Sequence, residues 1–118
     1  MTSPLPRHVA AASLEIAHEA VPPTQVVDGR PTTGVAELGE FGGAEIGVWE
    51  AAPGTSTDVE ADEVFVVVAG RARIEFAGTG EVVDIGPGDV VRLRAGEDTV
   101  WTIHETLRKV YLAPRTLD

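Results

Sequence analysis

The chain has no cysteine and one methionine. Its 118 residues include only two Trp, one Tyr and three Phe. Without cysteine there can be no disulfide, no thiolate metal ligand and no cysteine nucleophile. Basic residues are also scarce, 9 Lys and Arg against 19 Asp and Glu, for a formal net charge of -10. That balance argues against nucleic acid and anionic membrane surfaces, because both attract basic patches. The N-terminal residues carry Pro4, Pro6 and a short Ala run. They lack the apolar core of a secretory signal, and no stretch approaches the length of a membrane span. With the missing cysteines, this makes a cytoplasmic location the expectation. Also missing are a phosphate-binding P-loop, a dinucleotide fingerprint and a GxSxG elbow.

What is abundant is valine and glycine. Hydrophobic residues make up 43% of the chain, enough for one core in a chain of single-domain length. The richest stretch is EVFVVVAGRARIEF, Glu63 to Phe76. Its alternation predicts two strands joined by a tight turn at Gly70. In the first, Glu63, Phe65 and Val67 share one face and Val64, Val66 and Val68 the other, so this strand should be central. In the second, Ala72, Ile74 and Phe76 alternate with Arg71, Arg73 and Glu75. Further strands are expected at 34–38, 44–52, 81–85, 90–93, 99–105 and 107–113. Gly42-Gly43, Pro53-Gly54 and Gly86-Pro87-Gly88-Asp89 separate them as turn signals. Residues 13–21 suit a short strand or a single helical turn, and a turn of helix is expected at 23–27. Short strands at this spacing, without a long helix, indicate an all-β sandwich or barrel. The expected organisation is a short irregular N-terminal leader, 1–32, that packs on or extends a single barrel, 33–118.

Several segments in this order resemble a known family: Gly47-Val48-Trp49-Glu50, Pro53-Gly54, Asp62 to Val68 with Gly70-Arg71, Gly86-Pro87-Gly88-Asp89, Ala95-Gly96, Trp101, and Arg108-Lys109-Val110-Tyr111. Together they are similar to a small single-domain cupin, a jelly-roll β-barrel. The resemblance is strongest to the cupin domain of the ureidoglycine aminohydrolase group. It implies a metal motif of HxH, three or four residues, Glu, six residues and Gly, followed by a second motif that ends in His. Glu63 and Gly70 match the end of the first motif. Its histidine positions fall on Ser56 and Asp58, or on Thr57 and Val59, and the second motif's histidine falls on Thr99.

Of the implied ligand set only Glu63 is present, with Asp58 as a second carboxylate. Hydroxyls replace imidazoles poorly at a transition metal, so no metal cofactor is expected. A weak divalent site at Asp58 and Glu63 stays open, because paired carboxylates suit Mg or Ca. The remaining histidines are His8, His18 and His104. On a regular strand His104 points away from Thr99, Trp101 and Ile103.

Glu63 is the candidate catalytic acid or base. The candidate ligand-binding residues are Trp49, Asp58, Thr99, Trp101, Lys109 and Tyr111. Lys109 is the possible partner of Glu63, although alternation alone does not say whether Lys109 and Tyr111 face inward. Three functions remain in play. One is a small-molecule-binding cupin with a metal-free pocket. Another is a ureide-type aminohydrolase, or another cupin enzyme using Glu63. The third is a non-catalytic structural module, paired as a homodimer through the apolar face of Val64, Val66 and Val68.

Overall fold

The structure, a computed structural model, describes residues 3–115. The first two residues of the expected leader and the last three of the expected barrel lie outside the described residues. Strands make up nearly all the regular structure: β1 (Glu19–Ala20), a 3-10 turn (Pro23–Gln25), β2 (Val26–Asp28), β3 (Thr32–Phe41), β4 (Ala44–Ala51), β5 (Gly54–Val59), β6 (Glu63–Phe76), β7 (Val82–Ile85), β8 (Val90–Leu93) and β9 (Asp98–Pro114). They form one curled, nine-stranded antiparallel sheet, consistent with a cupin jelly roll. Among the described residues no helix is long and apolar enough to cross a membrane.

Two expectations from alternation fail, for one shared reason. The stretch from Glu63 to Phe76 is a single 14-residue strand and not a hairpin. Likewise 99–105 and 107–113 belong to one 17-residue strand. These two long strands pair antiparallel along their length, with register shifts between Val67 and Ala72. The first part of β6 also pairs with β8 and the last part with β7. Gly70 therefore marks an irregularity where the sheet bends, at φ 87°. The bulge changes which alternate side chains face inward. Phe65 and Val67 are buried before it and Ala72, Ile74 and Phe76 after it. A local sequence reading cannot separate a glycine bulge from a glycine turn, because both need positive φ. The distinction comes from β9, which runs unbroken alongside.

The bend lets one strand pair serve two halves of the sheet around one core. Phe65, Val67, Ile74, Leu93, Trp101, Ile103 and Leu107 fill that core and are almost fully buried. Arg108 and Lys109 are buried beside Leu107, so β9 carries charge into the protein on both of its faces.

Outside β1, the expected strand or turn at 13–21 does not form; only Glu19–Ala20 is extended and paired, with Thr33 and Thr32 on β3. The segment is nevertheless tied down. Arg108 donates to the Ala11 carbonyl at 2.9 Å and to Glu50 at 2.8 Å. His18 bridges Thr32 (2.8 Å) and the other oxygen of Glu50 (2.7 Å). Glu50 and Arg108 are cross-strand partners on β4 and β9.

Burial works against the Glu50 carboxylate, but the hydrogen bonds and charges of His18 and Arg108 outweigh it. Its carboxyl is held below the ordinary 4.5. A lowered folded value means that Glu50 contributes stability above pH 4.5, and that this is lost as pH falls through the folded value. The stability gap between wild type and Glu50→Gln is therefore expected to stay constant above pH 4.5 and to close below it. Urea unfolding across the acid range measures this gap. A gap that widens on acidification contradicts the assignment.

Candidate functional site

A cavity of about 330 Å³ opens at one end of the sheet. Register explains what lines it. Ser56 lies opposite Trp101 and Asp58 opposite Thr99, on β5 and β9. Further along β9, Lys109 lies between Trp49 and Val67, and Tyr111 between Gly47 and Phe65. The alternate β9 residues Thr99, Trp101, Ile103, Leu107, Lys109 and Tyr111 thus keep one face, and Lys109 and Tyr111 point inward. A Cβ on Gly47 would overlap the Tyr111 ring, so the glycine leaves room for the phenol to lie across β4. Val21, Pro22, Gln25 and Pro31 wall the cavity from the N-terminal side. They are held there by the Val21 N–H donating to the Pro31 carbonyl at 3.0 Å.

The centre of the wall is an ion pair, Lys109 Nζ to Glu63 Oε2 at 2.6 Å. The lysine side chain is 6% exposed and the glutamate 20%. The ammonium also lies over three rings, 4.2 Å from Phe65, 4.6 Å from Trp49 and 5.0 Å from Trp101. Trp101 packs against both other rings at 5.5 and 5.8 Å between centroids. With Tyr111 these are four of the six aromatic residues in the chain. The electron-rich faces and the carboxylate together replace much of the water that an ammonium loses on burial.

One site residue escaped the sequence reading. Glu60, in the link between β5 and β6, accepts from the Thr99 hydroxyl at 2.5 Å and from Trp101 Nε1 at 2.9 Å. It thereby satisfies the buried polar atoms of both residues. It lies outside any strand and any quoted motif, so no periodicity points to it. Its stabilising role is testable. Trp101→Phe leaves Glu60 and Thr99 one donor short, and a loss of about 1–2 kcal/mol in urea unfolding is expected. No loss would mean that the indole bond contributes nothing.

The structure thus brings Trp49, Asp58, Glu63, Trp101, Lys109 and Tyr111 to one cavity, and it does not place Thr99 among the lining residues. Burial of Thr99 is nearly complete, so it faces the ligand space only through its bond to Glu60. Asp58 is largely exposed as a residue, with its carboxyl at the cavity wall. Loss of hydration there raises its pKa, and the Glu63 charge adds to this. The Val59 N–H, at 2.8 Å, and the Lys109 charge work in the opposite direction. The Tyr111 phenol is pushed up by burial first, then by Glu37, Glu63 and Glu45. His104 is exposed on the outer face of β9, and His18 belongs to the Glu50 network.

These residues do not fit a transition-metal centre of the cupin kind. The positions that would carry imidazoles hold Ser56 and Asp58, or Thr57 and Val59, together with Thr99, and the one matching acid already holds an ammonium. A divalent ion on Glu63 would sit against that positive charge. Among the described residues, no three His, Cys, Asp or Glu are placed to hold a metal.

Comparison with known proteins agrees with the architecture. Similar solved structures include a protein of unknown function from Pseudomonas syringae pv. tomato, with 20% identity and a TM-score of 0.71 over 86% of this chain. The present chain spans 45% of that protein's length. A protein of unknown function from Rhizobium leguminosarum is 29% identical, with a TM-score of 0.61, covering 70% of this chain and 82% of its own. A cupin superfamily protein from Desulfitobacterium hafniense is 20% identical, with a TM-score of 0.64, and matches over 98% and 99% of the two chains. No curated protein matches. The specific likeness to ureidoglycine aminohydrolase is not supported. Residues 38–111, more than half of the chain and most of the cavity wall, match the EutQ-like cupin domain, and the chain belongs to that family.

Proposed function

We propose that the protein binds a small molecule in the barrel cavity without a metal ion. The observation that carries this reading is the Lys109–Glu63 pair, set into an aromatic wall on a cavity large enough for a ligand. A cavity of about 330 Å³ is at the lower end of the range for small-molecule sites. Walls of mixed character, with indole and aliphatic surface beside hydroxyls and carboxylates, suit a compact ligand that carries a polar end. In this reading Glu63 orients the lysine ammonium, and Trp49 and Trp101 supply contact area. Asp58 and Tyr111 offer groups that a ligand can reach.

Two measurements test the proposal. Thermal unfolding against a panel of small acids, amines and ureides should find compounds that raise Tm by about 4 °C or more at saturating concentration, as binding to the folded state alone requires. Elemental analysis of protein purified without chelator should find no stoichiometric Mn, Fe, Ni or Zn. A stoichiometric metal, or a panel with no shift at all, would sink the reading.

A structural, dimer-forming module is the second reading. Val64, Val90 and Leu112 are exposed on the outer face. Cross-strand pairing makes their row continuous, with Val64 opposite Leu112 and Val66 opposite Val90. A second copy covering this row would remove apolar surface from water. Light scattering that shows a monomer at micromolar concentration removes this reading.

A further inference from the structure

The charges on the cavity wall do not cancel. Asp58, Glu60 and Glu63 face it against the single ammonium of Lys109, which Glu63 already matches. We propose that the ligand is a small organic cation, a protonated amine of a few carbons, whose ammonium meets Asp58 and whose hydrocarbon part lies against Trp49 and Trp101. This deepens the small-molecule reading above and rests on it.

Three independent features support that class of ligand. The first is the cage itself. Trp49 and Trp101 line the cavity beside the Lys109 ammonium, at 4.6 and 5.0 Å from it, so the wall offers a ligand ring faces of the kind that attract an alkylammonium once water is removed. The second is the field at Tyr111, which lines this cavity and also a neighbouring one that holds Glu37 and Glu45. The charges of Glu37, Glu63 and Glu45, added to burial, push the Tyr111 phenol up. An anionic ligand would meet the same repulsion. The third is the whole molecule, whose net charge of -10 concentrates small cations near its surface and slows the approach of anions. An anion would have Lys109 as its one attractive group and would have to compete with Glu63 for it.

Asp58 is the residue that a ligand can reach. Glu60 is engaged by Thr99 and Trp101, and Glu63 by Lys109. The Val59 backbone N–H donates to one carboxylate oxygen of Asp58 at 2.8 Å, and the other oxygen remains for a donor. Burial and Glu63 make its charged form costly, and an incoming ammonium would relieve that cost.

Calorimetric titration of the full chain with three isosteric probes, n-propylammonium, propionamide and propionate, decides the matter. The expected result is that propylammonium binds at least about tenfold more tightly than propionate and weakens as salt rises. Asp58→Asn should cut propylammonium affinity about fivefold or more. Glu81→Gln, which removes the same charge away from the cavity, should leave it unchanged. Tighter binding of propionate or propionamide than of propylammonium overturns the charge assignment and leaves the small-molecule reading standing. Equal losses in Asp58→Asn and Glu81→Gln place the attraction on the whole protein surface and overturn the site. Failure of all three probes to bind, with no shift in the wider panel, removes the small-molecule reading and this inference with it.

Discussion

Lys109→Met is expected to lower the unfolding free energy by about 2–4 kcal/mol at neutral pH. Removing one partner of a buried ion pair typically costs about 3–5 kcal/mol, because the other charge is left without compensation. The Glu63 side chain keeps 20% of its exposure, so part of the stranded carboxylate's cost is returned by water. That sets the expected range below the fully buried one. Methionine is close in length and apolar, so packing against Trp49, Phe65 and Trp101 is largely kept and the loss reports on charge. The double variant Lys109→Met with Glu63→Leu removes both charges. Replacing both members of such a pair by apolar groups is often neutral, so the double variant should recover most of the loss. Urea unfolding with an unchanged slope measures each step. A single-variant loss near zero, or a double variant that is worse than the sum of its parts, would show that the pair does not hold the cavity wall together.

Gly70→Ala is expected to destabilise by about 3 kcal/mol or more, the upper range for single substitutions. Two costs add at this position. Its φ is 87°, a backbone conformation that an alanine adopts only under strain. The new Cβ would also overlap the Thr106 carbonyl oxygen and lie 2.7 Å from Leu107 Cα. Both neighbours are backbone, so no side chain can swing away. Relief requires β6 and β9 to part at the bend that joins the two halves of the sheet. Gly78→Ala is the control, since its Cβ would meet nothing within 4 Å. Thermal unfolding of the two variants should differ widely. Equal melting temperatures would mean that the close approach of the strands at Gly70 is not needed.

Both effects sit at places that the sequence marked and misjudged in part. Gly70 stood out, but as the turn of a hairpin. A positive φ and a reversal of alternation are common to turns and bulges, and only the continuous pairing of β9 separates them. Lys109 stood out as the partner of Glu63, yet the apolar Val110 and Leu112 left its direction open. Alternation fails there because the outward-facing Val110 and Leu112 are apolar although Leu112 is exposed, so residue type does not mark the buried face. Glu60 and the His18–Glu50–Arg108 network were not legible at all. Their partners lie 32 to 58 residues apart in sequence, and no period connects them.

The sequence by itself determined the class of fold and the family resemblance. Strand alternation, glycine and proline punctuation and the spacing around Glu63 are local properties, set by backbone geometry and short-range pattern. It also showed that the histidines of a cupin metal motif are replaced, since that is a matter of residue identity. Only the tertiary structure decided that Lys109 faces the cavity and meets Glu63 under three aromatic rings, and that Glu60 anchors Thr99 and Trp101. Those facts depend on register between strands distant in the chain. A shift of one residue in that register would turn every one of these side chains to the opposite face.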